Sequence, residues 1–183
     1  MVDVDSDSQA LDAFLATVER RAYRMAYFAV QDRDEALDIV QDAMFALVRR
    51  YSGSASEEWP PLFHRILQHR IRDHYRRQKV RAVVRGWFGG DSDNQGEEAA
   101  TPATTPEPQE SVINDQTMEL LNRAITALPL RQQQVFLLRA WEGLDVHDTA
   151  AAVGCSAGSV KTHYSRAVMR LRELLGKEHK NEA

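Results

Sequence analysis

Residues 89–111, GGDSDNQGEEAATPATTPEPQES, set the strongest limit on how this chain folds. The stretch is rich in Gly, Ser, Thr, Pro and acids, and it holds almost nothing apolar. Burial therefore offers little to offset the entropy of ordering it. It reads as an extended, mobile, acidic linker. It divides a chain of 183 residues into two blocks, each with room for one modest core. Trp87 and Phe88, just upstream, read as anchors for the end of the first block.

Both blocks carry helical periodicity. Leu11, Phe14, Leu15, Val18, Ala22, Met25 and Ala26 recur at three- and four-residue spacing, as do Ile39, Val40, Ala43, Met44, Leu47 and Val48. The segment QDRDEA separates these two helices, and YSGSASEEWPP ends the second. Pro60 and Pro61 suit the first turn of a third helix. After the linker, a helix spans residues 118–127, and another opens at Pro129 and closes near Gly143. Two shorter helical elements flank Gly154. No stretch alternates as a strand does. The expected fold is all-α, two small helical domains covering 9–85 and 113–176, joined by the flexible acidic linker 86–112.

The formal net charge of −4 hides a segregated distribution. Residues 1–19 and 86–122 contain no Lys or Arg, whereas residues 65–85 are strongly basic. On a helical wheel Phe63, Ile66, Leu67, Ile71, His74 and Tyr75 form an apolar side. Arg65, His69, Arg72, Arg76 and Lys79 follow one another on the opposite side. A solvated helix face normally mixes signs; this row is almost purely positive and fits a phosphate backbone. Tyr51, Trp59 and Phe63 flank the loop SGSASEE beside that row. Aromatics there either stack on unpaired bases, at about 1–3 kcal/mol per base, or staple the helix start into the core. Spacing alone leaves both readings open.

The C-terminal stretch has the layout of a helix-turn-helix. Asp145 suits the cap of a short helix, Gly154 the turn, and Ser156 the cap of a second helix running to about Leu175. Val160, Tyr164, Ala167, Leu171 and Leu174 then face inward. Lys161, Thr162, Ser165, Arg166, Met169 and Arg172 face outward, a mixture of cations and short polar groups suited to the major groove.

Other classes find less support. The single cysteine, Cys155, excludes an internal disulfide framework and a multi-cysteine zinc module, and it suits a reducing cytosol. The acidic opening MVDVDSDSQA does not resemble a secretory signal, and no apolar run nears the ~18 residues of a membrane span. A cytoplasmic location is expected. His64, His69 and His74 spiral round their helix and do not converge on a metal. There is no HExxH, P-loop or nucleophile–base cluster, so we expect no catalysis, no metal, no cofactor and no small-molecule substrate.

Four passages together resemble the extracytoplasmic-function sigma factors, which keep only the domains called sigma-2 and sigma-4. They are DEALDIVQDAMF, WPPLFHRILQHRIRDHYRRQ, ALPLRQQQVFLLRAWEGL and AAAVGCSAGSVKTHYSRAVMRLREL, in that order, and the likeness spans residues 11–175. The resemblance implies a protein that binds core RNA polymerase and directs it to promoters. Asp38, Gln41 and Asp42 would meet the β′ clamp helices, with further contacts to the β subunit. Ser54, Trp59, Arg65, His69, Arg72, Arg76 and Lys79 would contact the −10 element of promoter DNA as it opens. Ser159, Lys161, Thr162, Ser165, Arg166 and Arg170 would contact the −35 element. The linker would thread towards the active-site cleft, and a cognate anti-sigma factor enters as a further partner. The chain departs from the family pattern at His69, where Asn is usual, at Leu62 and Leu37, and at the pair Thr162 and His163. The alternative is a helix-turn-helix regulator that binds duplex DNA without polymerase. That reading leaves the cationic row without a use.

Overall fold

Asp32 decides where the first helix yields to the second. Its carboxylate accepts hydrogen bonds from the backbone N–H of Asp34 (2.9 Å) and Glu35 (3.0 Å), satisfying donors that a helix start leaves orphaned. The preceding residue, Gln31, sits at φ 56°, and its side chain donates to the carbonyls of Tyr27 and Phe28 at the end of the first helix. A two-residue joint is thus capped from both sides. Replacing Asp32 with Ala is expected to cost about 1 kcal/mol of stability, seen as a lower urea midpoint with an unchanged slope.

The computed structural model describes residues 4–88 and 112–181. In chain order these form α1 (Val4–Val30), α2 (Arg33–Tyr51), a short 3₁₀ turn (Ser56–Glu58) and α3 (Trp59–Phe88). Then follow α4 (Val112–Thr126), α5 (Leu130–Phe136), a π-helical turn (Leu137–Trp141), α6 (Val146–Val153) and α7 (Ala157–Asn181). Among the described residues there is no strand. The expected linker falls largely outside the described residues, as do the side chains of Lys79, Trp87 and Phe88.

α1, α2 and α3 pack on one another as the N-terminal bundle. Leu11, Val18, Met25, Ile39, Val40, Leu47, Trp59, Phe63, Leu67 and Ile71 fill its centre, and Ala22, Ala26, Ala36 and Ala43 let the helices approach closely. Phe14 meets the ring of Phe63 edge-on at 6.1 Å. In the C-terminal bundle α7 lies against α4, α5 and α6. Ile125, Leu128, Val135, Leu138, Val153, Val160, Ala167 and Leu171 are buried there. The expected inward set of the last helix is placed as its spacing implied, with Tyr164 and Leu174 half-buried. Val48, read with the buried set of α2, is instead exposed.

The two bundles also pack on each other, which composition does not reveal. α3 lies against α6, and α1 against α4 and α5. Polar contacts cross the seam beside the apolar cluster that the two bundles share. Gln133 Nε2 donates to the carbonyls of Phe28 (3.0 Å) and Ile125 (3.1 Å), and Gln31 Nε2 reaches Thr126 Oγ1 at 3.3 Å. Trp141 closes one end, with Phe28 beside its ring and the guanidinium of Arg24 over it at 6.0 Å.

Candidate nucleic-acid and polymerase interfaces

Three surfaces follow from this arrangement, each on a helix whose other side is held by a core. The first is on α2. Asp38, Gln41, Asp42 and Phe45 recur at helical spacing, so they share one face, and all four are exposed. Phe45 is 66% accessible, and Leu37 and Val48 add exposed apolar area beside it. A phenylalanine this exposed, with Asp42, Arg49, Arg50 and Arg70 around it and further apolar groups alongside, is typical of a protein-docking face. Asp42 keeps only a long ion pair, 3.7 Å, to Arg70 of α3. Asp38, Gln41 and Asp42 share this face as their helical spacing implies. The exposure of Phe45 is not legible in the sequence, because a helix with buried and exposed apolar residues on neighbouring stripes looks simply more hydrophobic.

The second surface is the cationic row of α3. Arg65, His69 and Arg76 are exposed, as expected of phosphate-binding groups. Arg65 Nη2 donates to Tyr51 Oη at 3.3 Å, and His69 Nδ1 lies 3.1 Å from Asp73 Oδ2. Arg72, in the middle of the row, is different. Its Nη1 donates to the Val153 carbonyl at 3.0 Å, at the C-terminal end of α6. Burial there, and next the nearby Arg131 guanidinium, push the Arg72 pKa below its ordinary value. The helical wheel placed Arg72 correctly on the row; the α6–α7 turn of the other bundle then leans over it, which no wheel can show.

The loop before α3 is tied at one point. The Tyr51 carbonyl accepts from Ser54 N–H at 3.0 Å and from Trp59 Nε1 at 3.1 Å. Trp59 is only 4% exposed and packs on Phe14. Of the two readings left open for the flanking aromatics, this conformation shows Trp59 as a core staple, with its ring not accessible to a base. Ser54 is half-buried, while Ser52, Gly53 and Ala55 are exposed.

The third surface is α7. Asp145 caps α6 by accepting from Asp148 N–H at 2.7 Å, and Ser156 Oγ accepts from Ser159 N–H at 3.1 Å at the start of α7. Between them Gly154 takes the left-handed conformation, φ 69°, that lets the chain turn sharply. Lys161, Thr162, Ser165, Arg166 and Arg170 are exposed and Ser159 half-buried. Thr162 Oγ1 donates back to the Gly158 carbonyl at 3.0 Å. This is a helix-turn-helix with a polar, cationic recognition face.

Comparison with known proteins decides the family. Residues 11–81 match the model for Sigma-70 region 2, and residues 118–171 match that for Sigma-70, region 4. The RNA polymerase sigma-E factor of Streptomyces antibioticus is 31% identical over 147 residues, covering 80% of this chain and 73% of that protein. The chain belongs to the sigma-70 family. Within it, the kinship is with the extracytoplasmic-function sigma factors, which direct RNA polymerase to specific promoters. The ECF RNA polymerase sigma factor SigM of Mycobacterium tuberculosis is 27% identical, covering 94% of this chain and 81% of its own. Among solved structures, sigma factor RpoE from Bartonella quintana, in complex with the anti-sigma factor NepR, superposes with a TM-score of 0.63. It is 22% identical and covers 90% of this chain and 96% of its own. CnrH in complex with the cytosolic domain of CnrY gives 0.55, at 19% identity and 97% coverage of this chain. These two likenesses speak for the fold. For this sigma factor, then, the N-terminal bundle is the sigma-2 domain and the C-terminal bundle the sigma-4 domain. Among the described residues no helix is long and apolar enough to cross a membrane.

Proposed function

We propose that this sigma factor loads onto core RNA polymerase through the face of α2 and reads a promoter through two separate helices. Asp38, Gln41 and Asp42 contact the β′ clamp helices, and Phe45 seats among them. Arg65, His69, Arg72, Arg76 and Lys79 follow the backbone of the opening −10 strand, and the loop carrying Ser54 receives an unstacked base, with Trp59 bracing it from the core. Ser159, Lys161, Thr162, Ser165, Arg166 and Arg170 face the −35 major groove. Phosphate contacts provide most of the affinity and little sequence information, so base choice rests on the loop and a few residues of α7. Melting costs about 1.4 kcal/mol per base-pair step in lost stacking, and base capture offsets part of it. The chain itself makes and breaks no bonds; chemistry belongs to the polymerase. An anti-sigma factor is a natural further partner, since the RpoE structure named above is of a complex with the anti-sigma factor NepR.

The observation that carries this reading is the exposed acidic and apolar face of α2, for which a regulator acting on duplex DNA alone has no use. A mobility-shift assay on promoter-containing fragments, with and without core enzyme, separates the two. A specific complex that forms only with core is expected. Equally tight and specific binding without core would establish the regulator instead.

A further inference from the structure

Along α2 one stripe changes sign. Asp38, Asp42, Phe45 and Arg49 follow one another at three- and four-residue intervals, so they stand in line on a single face. At 1.5 Å per residue the stripe runs roughly 16 Å. It is acidic at one end, aromatic in the middle and basic at the other.

Part of that order has a local cause. Acids in the first turn and bases in the last complement the helix macrodipole, and Asp34, Glu35, Arg49 and Arg50 follow this rule. Asp38 and Asp42 lie beyond the first turn, where the dipole effect has faded, and Arg70 comes from another helix. Arg49, Arg50 and Arg70 surround a groove of about 210 Å³, whose wall Asp42, Phe45 and Ala46 complete. Three guanidiniums thus share one carboxylate, which stands 3.7 Å from Arg70. Arg49 and Arg50 are exposed, and among the described residues neither has an acid within ion-pair distance. Like charges gathered with so little compensation repel one another. An incoming carboxylate relieves that repulsion and accepts paired hydrogen bonds from a guanidinium fork.

Which anion the groove takes follows from where it lies. Arg70 is five residues on from Arg65, so it stands about 140° round α3 from the row assigned to DNA. A strand that follows the row passes on another side of the helix. A protein that covers Phe45 also covers the groove, since Phe45 is part of its wall.

We propose that the groove binds acidic side chains of core polymerase, and that α2 is a bipolar docking face. The partner surface carries carboxylates over Arg49, Arg50 and Arg70, an apolar seat for Phe45, and cations over Asp38 and Asp42. Such a face admits its partner in one direction only. Turned end for end, the partner sets acid against acid and base against base. The proposal rests on the assignment of α2 to the polymerase.

The test uses the full chain, fluorescently labelled and titrated with core RNA polymerase at several salt concentrations. Arg49→Glu should bind about tenfold more weakly at low salt, and the deficit should shrink as salt rises, because like charges then meet across the interface. Arg20→Glu, the same reversal on the exposed side of α1, should bind as the unaltered chain does. Arg49→Gln should lose less, and stands in if the reversal frays the end of α2. A double variant, Asp38→Arg with Arg49→Glu, keeps the net charge and inverts the face; it should bind no better than Arg49→Glu alone. Arg49→Lys, treated in the complex with a zero-length carbodiimide, should form an amide with a carboxylate of a core subunit. Full affinity in Arg49→Glu beside a large loss in Phe45→Asp would overturn the bipolar face and leave α2 at the interface. Full affinity in both would remove α2 from that interface altogether. An inverted double variant as tight as the unaltered chain would refute the fixed direction, and no amide would refute the carboxylate. Normal core binding by Arg49→Glu, with weaker capture of single-stranded DNA by its holoenzyme, would give the groove to nucleic acid instead.

Discussion

Phe45→Asp is expected to reduce affinity for core RNA polymerase by roughly 30-fold or more while leaving the fold intact. Large exposed aromatics at the centre of a docking face commonly contribute about 2 kcal/mol or more when truncated, and a buried, unpaired carboxylate adds its own desolvation cost. Phe45 is 66% accessible in the free chain, so it contributes little to the sigma-2 core, and the stability change should stay within about 0.5 kcal/mol. Titration of labelled protein with core enzyme gives the affinity, and urea unfolding gives the stability. Asp38→Ala and Asp42→Ala should act more weakly, chiefly on the association rate, because charges at a rim steer more than they hold. Unaltered core affinity in Phe45→Asp would remove α2 from the polymerase interface.

Phe63→Ala is expected to cost about 3–5 kcal/mol of stability, the usual range for deleting a fully buried aromatic ring. Its side chain is 0% exposed and sits edge-on to Phe14, with Trp59 packed on the same Phe14 ring. The cavity opens at the start of α3, beneath the tethered loop that carries Ser54. The urea midpoint should fall steeply, and −10 strand binding should weaken before global unfolding, because the loop loses its floor. Phe63→Leu, which keeps most of the volume, should recover much of both. A cost under about 1 kcal/mol would show that α3 does not depend on this packing.

Much of this molecule is legible in the order of its residues because helices advertise themselves locally. The three- and four-residue recurrence from Leu11 to Ala26 marks a buried stripe, and Asp32, Asp145, Gly154 and Ser156 mark helix ends by the chemistry of orphaned backbone groups. The outward set of α7 follows from the same arithmetic. Interactions between distant segments are not written locally. His64 and Gln68 look like polar members of a basic helix, yet they are buried, because α6 packs on α3 and Glu142 and Gln134 lie over them. Arg72 belongs to the row by spacing and to the seam by tertiary contact. Glu142 has nothing nearby in sequence to announce that its partners are Arg21 and His64. Phe45 is hidden for the opposite reason: an apolar residue on an amphipathic helix is ordinarily assigned to the core, and only the packed structure shows which stripe it occupies.

The central claim is that this chain confers promoter specificity on core RNA polymerase by reading two elements. Adding the full-length protein to core enzyme, and sequencing the run-off transcripts from fragmented genomic DNA of its source organism, tests that most directly. Defined start sites preceded by two elements at constant spacing are expected. The downstream element should be needed for contacts that Arg65 and Arg76 make, and the upstream one for those of Lys161 and Arg166. Start sites no different from those of core enzyme alone, despite a stable complex between the two, would contradict the claim.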